Sequence, residues 1–206
     1  ILTKTYYSKI DGLISISKFT FNRLLKVYPN LRIKPIIIPP SINLDGVKSI
    51  KRMENKVKKI LFVGMIKARK GLLEAIEALN KYKLKYSANF IFNIVGQFDK
   101  NDEYYKIILK QITKYNLEDN IKFRGKINDD ELNKYYSDAD LFLMLPIDVC
   151  NKFEGYGMVY IEANARGIPS IGSINSGAED AIKDNISGFL VDPLDSEEIA
   201  KKLHQV

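Results

Sequence analysis

From residue 58 to its end the chain alternates between short apolar runs that stop at glycine or proline and longer stretches whose apolar residues recur at helical spacing. Residues 60–63 stop at Gly64, and Leu72, Leu73, Ile76 and Leu79 follow on one helical face. Residues 90–95 stop at Gly96, after which Tyr104, Ile107, Ile108 and Ile112 make a second such face. Residues 121–123 close at Gly125, 129–136 read as a short helix with an acidic first turn, and 141–145 stop at Pro146. Residues 158–166 read as a helix ended by Gly167, with 169–172 and 189–191 as the last strands. The last helix, 197–203, is introduced by Asp195-Ser196 and is expected to be truncated. Few architectures tolerate this pattern. Apolar strands joined by amphipathic crossovers bury both faces of a mostly parallel sheet, and six strands suffice for a Rossmann-like, doubly wound α/β domain over residues 59–206.

Residues 1–58 differ. Residues 12–16 read as a strand, 17–27 as a helix and 33–38 as a second strand ending in Pro39-Pro40; residues 41–58 lack a period and read as a linker. A strand–helix–strand piece cannot close a sheet alone, so residues 1–40 are expected to be the remnant of an upstream domain. The opening at Ile1 carries no basic-then-apolar leader, and no signal peptide is expected. Composition narrows the chemistry. With 46% hydrophobic and 28% charged residues the chain is not globally disordered. No apolar run reaches the roughly 18 residues of a membrane helix. The single cysteine, Cys150, has no internal disulfide partner, and the single histidine, His204, leaves no His-based nucleophile relay within the chain. The net charge of +7 is uneven: residues 1–59 hold 13 Lys/Arg against 3 Asp/Glu, residues 60–206 hold 19 against 22. The basic residues are scattered, without a nucleic-acid-binding signature, and read as a solvated face rather than a nucleic-acid footprint.

Two strand-to-helix corners carry the chemistry. The first is Phe153-Glu154-Gly155-Tyr156-Gly157-Met158-Val159-Tyr160-Ile161-Glu162, just past the carboxyl end of strand 141–145, where open α/β sheets bind ligands. Gly155 and Gly157 allow close backbone approach, and the helix start exposes N–H groups suited to a pyrophosphate. Glu154 and Glu162 can each accept paired hydrogen bonds from vicinal hydroxyls of a sugar or ribose. A plainer account has Glu154 complementing the helix dipole and Glu162 pairing with Arg166. The second corner runs from Val63-Gly64-Met65-Ile66 to Lys67-Ala68-Arg69-Lys70-Gly71. Three cations (Lys67, Arg69, Lys70) crowd a helix start, where the dipole disfavours each by about 0.3–1 kcal/mol; a bound polyanion would reverse that sign.

Both corners resemble the nucleotide-binding half of glycosyltransferase family 4 (group 1), retaining enzymes of the two-domain GT-B architecture. Glu154 and Glu162 match its E-x7-E motif, and Gly64 with Lys70-Gly71 its G-R-x4-K-G loop. Phe123-Arg124-Gly125-Lys126-Ile127 resembles the loop that meets the nucleobase, and Ser176-Gly177-Ala178-Glu179-Asp180-Ala181 the Gly-rich donor loop. Asp11 to Ser17 and Ile38-Pro39-Pro40-Ser41-Ile42 resemble the end of the acceptor-side domain and its linker. Two positions depart: Met65 stands where the family has Arg, and Ser176 where the first of two glycines is usual.

The resemblance implies the donor-binding half of a retaining transferase moving a hexose-type sugar from a nucleoside diphosphate to a glycan or lipid-linked acceptor. It places Glu154 and Lys70 at the reacting centre. Gly64, Lys67, Arg69, Gly125, Lys126, Gly155, Tyr156, Gly157, Met158, Val159 and Glu162 then line the donor. It implies no cofactor and no metal; Asp138-Ala139-Asp140 only imitates a D-x-D metal motif, since one carboxylate ends a helix and the other opens a strand. The acceptor would enter through the missing domain, and the isolated fragment is expected to be inactive. Polysaccharide or lipopolysaccharide assembly follows as the setting, in the cytoplasm, with an anionic membrane face as a further candidate partner. Two alternatives stand beside it: a GT-B-like scaffold or binding subunit without catalysis, suggested by Met65, and a sugar-nucleotide epimerase, which fits the motif spacing less well.

Overall fold

The computed structural model describes residues 10–43 and 57–206. Residues 1–9, and residues 44–56 of the expected linker, lie outside the described residues.

A six-stranded sheet forms the body of the molecule: β3 (Lys58–Val63), β4 (Phe90–Val95), β5 (Ile121–Gly125), β6 (Leu141–Leu143), β7 (Ser170–Ser173) and β8 (Gly188–Val191). The spatial order is β5-β4-β3-β6-β7-β8 and all neighbours run parallel. The chain therefore builds outward from β3 in one direction, returns, and builds outward in the other. The place where order reverses, between β3 and β6, is the topological switch point at which such sheets open a ligand crevice. Ile60 and Leu61 of β3 register with Leu141 and Phe142 of β6, so the two strands end side by side.

The strands are continuous apolar runs because helices cover both faces. Ile60, Phe62, Phe92, Ile94, Leu141, Phe142 and Leu143 are fully buried. Helix α2 (Leu72–Lys85) brings Leu72, Ala75, Ile76, Ala78 and Leu79 to this core. Helix α3 (Glu103–Lys114) brings Tyr105, Ile108 and Ile112; α7 (Ser196–Gln205) brings Ile199, Ala200 and Leu203. Burying each large aliphatic or aromatic side chain contributes about 1.5–3 kcal/mol. Helices α4 (Asp129–Asp138), α5 (Met158–Ala165) and the single turn α6 (Ala178–Ala181) complete the layers.

Several boundaries differ from the sequence expectation. Regular pairing in β6 ends at Leu143 rather than residue 145, although Met144 and Leu145 stay fully buried and Met144 N–H still donates to Ile171 O of β7 at 3.2 Å. α4 runs on to Asp138, and α5 stops at Ala165 with Arg166 as its cap. The turn α6 was not expected; its four residues are too short for any period to register.

The amino-terminal piece is a small parallel βαβ unit: β1 (Ile14–Ser15), α1 (Lys18–Val27) and β2 (Ile36–Ile37), with Ile14 opposite Ile36. Its strands are two residues each, shorter than the expected 12–16 and 33–38. Ser17 caps α1, its Oγ accepting from the Thr20 N–H at 2.9 Å.

Candidate functional site

The corner after β3 drops into one 3-10 turn, Ala68–Lys70, closed by Lys70 N–H donating to Lys67 O at 2.9 Å. Gly71 follows at φ +67°, where a Cβ would lie 1.5 Å from the Leu145 carbonyl oxygen. Only glycine lets this turn close against the end of β6. The two corners are then stitched together, since Ile147 N–H donates to Arg69 O at 3.1 Å.

That approach aims the turn's cations at the second corner. Lys70 passes Gly64, whose Cβ position is 3.8 Å from Lys70 Cε. Its Nζ reaches Glu154 Oε2 at 2.5 Å, with side-chain exposures of only 12% and 13%. Arg69 Nη1 meets the same oxygen at 3.2 Å. One carboxylate cannot neutralise two cations, so the cluster keeps a positive surplus in a half-dry cleft where charge is poorly screened.

Beside it begins α5, with Gly157 as N-cap and no side chain to cap it. Among the described residues no acceptor takes the backbone N–H groups of Gly157, Met158 or Val159. These orphan donors and the positive end of the helix dipole point the same way as the cation surplus: toward an anion. Tyr160, fully buried, donates from its hydroxyl to Met144 O at 2.7 Å and fixes the helix start over the end of β6.

One turn further, Glu162 Oε2 accepts from the Tyr136 hydroxyl at 2.7 Å. Burial, and then the Glu162 charge, push the Tyr136 phenol far up, so it stays a donor. Arg166 does not pair with the Glu162 carboxylate, as the plainer account required. It donates to the Glu162 main-chain oxygen at 2.8 Å and to Asn133 Oδ1 at 2.7 Å, with its guanidinium 4.7 Å from the Tyr136 ring centroid. Tyr136 went unnoticed in the sequence because it occupies a core position of α4, where an aromatic signals packing. Nothing local marks the carboxylate waiting 26 residues later.

The other sequence candidates divide. The strand ends carrying Gly64, Gly96 and Gly125 lie in line: Gly96 N–H donates to Gly125 O at 2.9 Å, and a Cβ on Gly96 would lie 1.9 Å from Gly64 O. Gly125 faces open space and Lys126 is exposed beside it. Gly155 and the buried Tyr156 lie in the loop between Glu154 and α5. Lys67 leaves the cluster: its Nζ pairs with Asp102 Oδ2 at 2.8 Å, at the N-cap of α3, instead of with Glu154. Met65 is 53% exposed. Asp138 and Asp140 both serve Lys59, the first through its Nζ at 2.7 Å and the second through its backbone N–H at 2.8 Å. Among the described residues no group of three or more His, Cys, Asp or Glu could hold a metal ion, and no helix is long and apolar enough to cross a membrane.

Comparison with known proteins places these corners in context. The family described as Glycosyl transferases group 1 matches residues 47–206. The amylovoran biosynthesis glycosyltransferase AmsK of Erwinia amylovora is 31% identical over 143 residues, 69% of this chain and 34% of its own length. A glycosyltransferase from Rickettsia africae superposes with a TM-score of 0.81 at 25% identity, covering 98% of this chain and 55% of that one. HepE of Anabaena, in complex with UDP and glucose, shares the fold with a TM-score of 0.74 at 18% identity, over 99% of this chain and 57% of its own. The chain spans less than half the length of the curated relatives it matches.

Proposed function

The chain belongs to the group 1 glycosyl transferases, and from that premise we propose that it is the donor-binding half of a retaining, family 4 type enzyme that moves a sugar from a nucleoside diphosphate to a glycan or lipid-linked acceptor. One observation carries the reading. Lys70 and Arg69 converge on Glu154 beside the unpaired N–H groups that open α5, at the switch point of the sheet. The UDP bound by the structural neighbour HepE is a ligand of the chemistry this corner would take.

In this reading the diphosphate takes the Lys70 ammonium, the Arg69 guanidinium and the N–H groups of Gly157 to Val159. As the anomeric C–O bond breaks, negative charge gathers on the departing diphosphate. Preorganised donors there stabilise the transition state more than the ground state. Glu154, released from its cations, accepts from hydroxyls of the donor sugar and orients it. Glu162, steadied by Tyr136, takes the ribose hydroxyls, and the base lies toward Gly125 and Lys126. The acceptor hydroxyl attacks on the face the diphosphate leaves, so configuration is kept. No metal ion is assigned a part. The acceptor, with any anionic membrane surface, meets the half of the enzyme beyond this chain. Polysaccharide or lipopolysaccharide assembly is the setting, a reading in line with the amylovoran biosynthesis of AmsK.

Calorimetry with UDP, GDP and ADP, and then their sugars, tests the reading. Binding lost in Lys70→Ala and Glu162→Ala supports it. Sugar transfer by these 206 residues alone would refute the division of labour, because the acceptor side would then be unnecessary. The exposed Met65, at a position where an arginine would grip the diphosphate, favours a second reading as a non-catalytic subunit. Failure of every nucleotide to bind, with the upstream half restored, would select it.

A further inference from the structure

The loop carrying Glu154 and Gly155 is held from outside the sheet. Ser17 Oγ lies 2.6 Å and Thr20 Oγ1 3.1 Å from the Gly155 carbonyl oxygen, and the two hydroxyls are 2.8 Å apart. Two protons serve these three contacts, and every arrangement of them leaves the carbonyl with at least one donor. Ser17 is fully buried, so water does not compete. Gly177 N–H donates to the neighbouring carbonyl, Glu154 O, at 2.8 Å. A Cβ on Gly177 would lie 2.2 Å from Gly155 C and 2.3 Å from Tyr156 N, so Gly177 packs directly on the same peptide. Successive carbonyls, of Glu154 and Gly155, are thus both occupied.

The helix that supplies the two hydroxyls is itself fastened to this corner. Phe19 N–H donates to Asp180 Oδ2 at 2.9 Å, a carboxylate well placed at the N-terminus of α1. Arg23 pairs with Asp148 at 2.5 Å and lies 5.1 Å from the Phe153 ring centroid, and Phe19 meets Phe153 edge-on at 5.7 Å. The Gly155–Tyr156 peptide is trans, so its N–H points away from the held carbonyl and from α1. Gly155 has no side chain to restrain that peptide; Gly177 packs on it, and the hydrogen bonds to its carbonyl come from Ser17 and Thr20.

We propose that Ser17 and Thr20 are positioning residues for the loop that carries Glu154 and Gly155: from the amino-terminal βαβ unit their hydroxyls fix the Gly155 carbonyl and so hold the N–H groups opening α5 in register with the donor's diphosphate. The inference rests on the reading of this corner as a nucleoside diphosphate site. Neither residue lies in the segment matched by the family, which begins at residue 47.

The test is a double variant, Ser17→Gly with Thr20→Val. Glycine is a tolerated N-cap and valine keeps the shape of threonine, so α1 survives while both hydroxyls go. Calorimetry uses the tightest binder among UDP, GDP and ADP, and its monophosphate. The variant is expected to bind the diphosphate about tenfold more weakly and the monophosphate within about twofold of the parent, because base and ribose contacts do not pass through Gly155. Amide exchange at residues 155–159 of the unliganded variant speeds up by a similar factor. An unchanged diphosphate affinity in the double variant, with binding lost in Lys70→Ala, overturns the positioning role and leaves the site reading intact. So does an equal loss for both nucleotides, which marks general loosening. No nucleotide binding by the parent sequence, with the upstream half restored, removes the site reading and this inference together.

Discussion

The Lys70 ammonium lies 2.5 Å from the Glu154 carboxylate although 84 residues separate them, and the same oxygen also takes Arg69 at 3.2 Å. The two cations are thus partly neutralised from within the chain. Under the proposed donor-site reading, a diphosphate, with more charge than one carboxylate, would displace Glu154 and free it for the sugar, coupling binding of the donor to its orientation.

Glu154→Gln separates the two halves of that coupling. With the competing charge gone, UDP, GDP or ADP is expected to bind roughly three- to tenfold more tightly. The extra affinity contributed by the sugar of the corresponding nucleotide sugar is lost. The folded state weakens by about 1–3 kcal/mol because Lys70 is left nearly buried without its partner. Calorimetry and denaturant unfolding read the two effects separately.

The three neighbouring cations are not equivalent. Lys70→Ala removes a nearly dry ammonium and is expected to weaken nucleoside diphosphate binding by at least about tenfold, as loss of a charge-assisted hydrogen bond predicts. Arg69→Ala, at 30% exposure, has a smaller effect. Lys67→Ala leaves affinity within about twofold, since that side chain is 53% exposed and belongs to Asp102. A Lys67 effect as large as that of Lys70 would contradict the geometry.

Tyr136→Phe keeps the ring in the core and deletes only the bond to Glu162. Loss of one hydrogen bond is expected to cost about 0.5–1.5 kcal/mol of stability. Its specific signature is in recognition. Ribonucleotide binding weakens several-fold while the 2′,3′-dideoxynucleotide, which has no hydroxyls for Glu162, is unaffected. Competition between the two nucleotides measures that ratio.

The strands and helices of the sheet were readable in the sequence because they rest on strong periodic signals, whereas the two corners were brought together there only by the family resemblance, since no period gives the order of strands in a sheet. Apolar runs ending at Gly64, Gly96 and Gly125 mark strands, and Gly71 and Gly157 mark turns before helices. What escaped depends on contacts made at long range. Lys67, Arg69 and Lys70 look alike as a charge cluster; only the turn at Ala68–Lys70 sends one away to Asp102 and two inward. Arg166 sits one turn from Glu162 and invited an ion pair, yet its guanidinium lies over the Tyr136 ring and donates to the Glu162 main-chain oxygen and to Asn133 instead. Ser17 was legible as the start of a helix but not as a clamp on Gly155, 138 residues away.

Away from the site, Glu74 in the first turn of α2 has a buried Oε2 without a partner among the described residues. Burial raises its pKa above the ordinary 4.5, against a smaller pull from a backbone hydrogen bond. The sign follows: with the folded pKa above the unfolded one, its contribution to stability is intact at acid pH and is lost as pH rises through the raised value. Glu74→Gln therefore melts with the parent near pH 4 and above it at pH 8, by roughly 1–3 °C, a small gain because solvent partly screens the carboxylate. Melting curves at the two pH values check it.

Gly177→Ala tests the packing against the loop that carries Glu154 and Gly155. Gly177 has an ordinary φ of −62°, so alanine brings no backbone strain. The obstacle is space alone: the new methyl would lie 2.2 Å from Gly155 C and 2.5 Å from Gly155 O, backbone atoms that move only with the whole loop. Relief requires the Gly155 peptide to move away from Gly177, straining the Gly177 N–H to Glu154 O bond. Overpacking of this kind costs about 1–3 kcal/mol. Diphosphate binding is expected to fall more than monophosphate binding, because the displaced peptide leads directly into Gly157 and the N–H groups of α5. A variant with parental stability and parental nucleotide affinity would show that the loop yields freely, which its bonds to Gly177, Ser17 and Thr20 forbid.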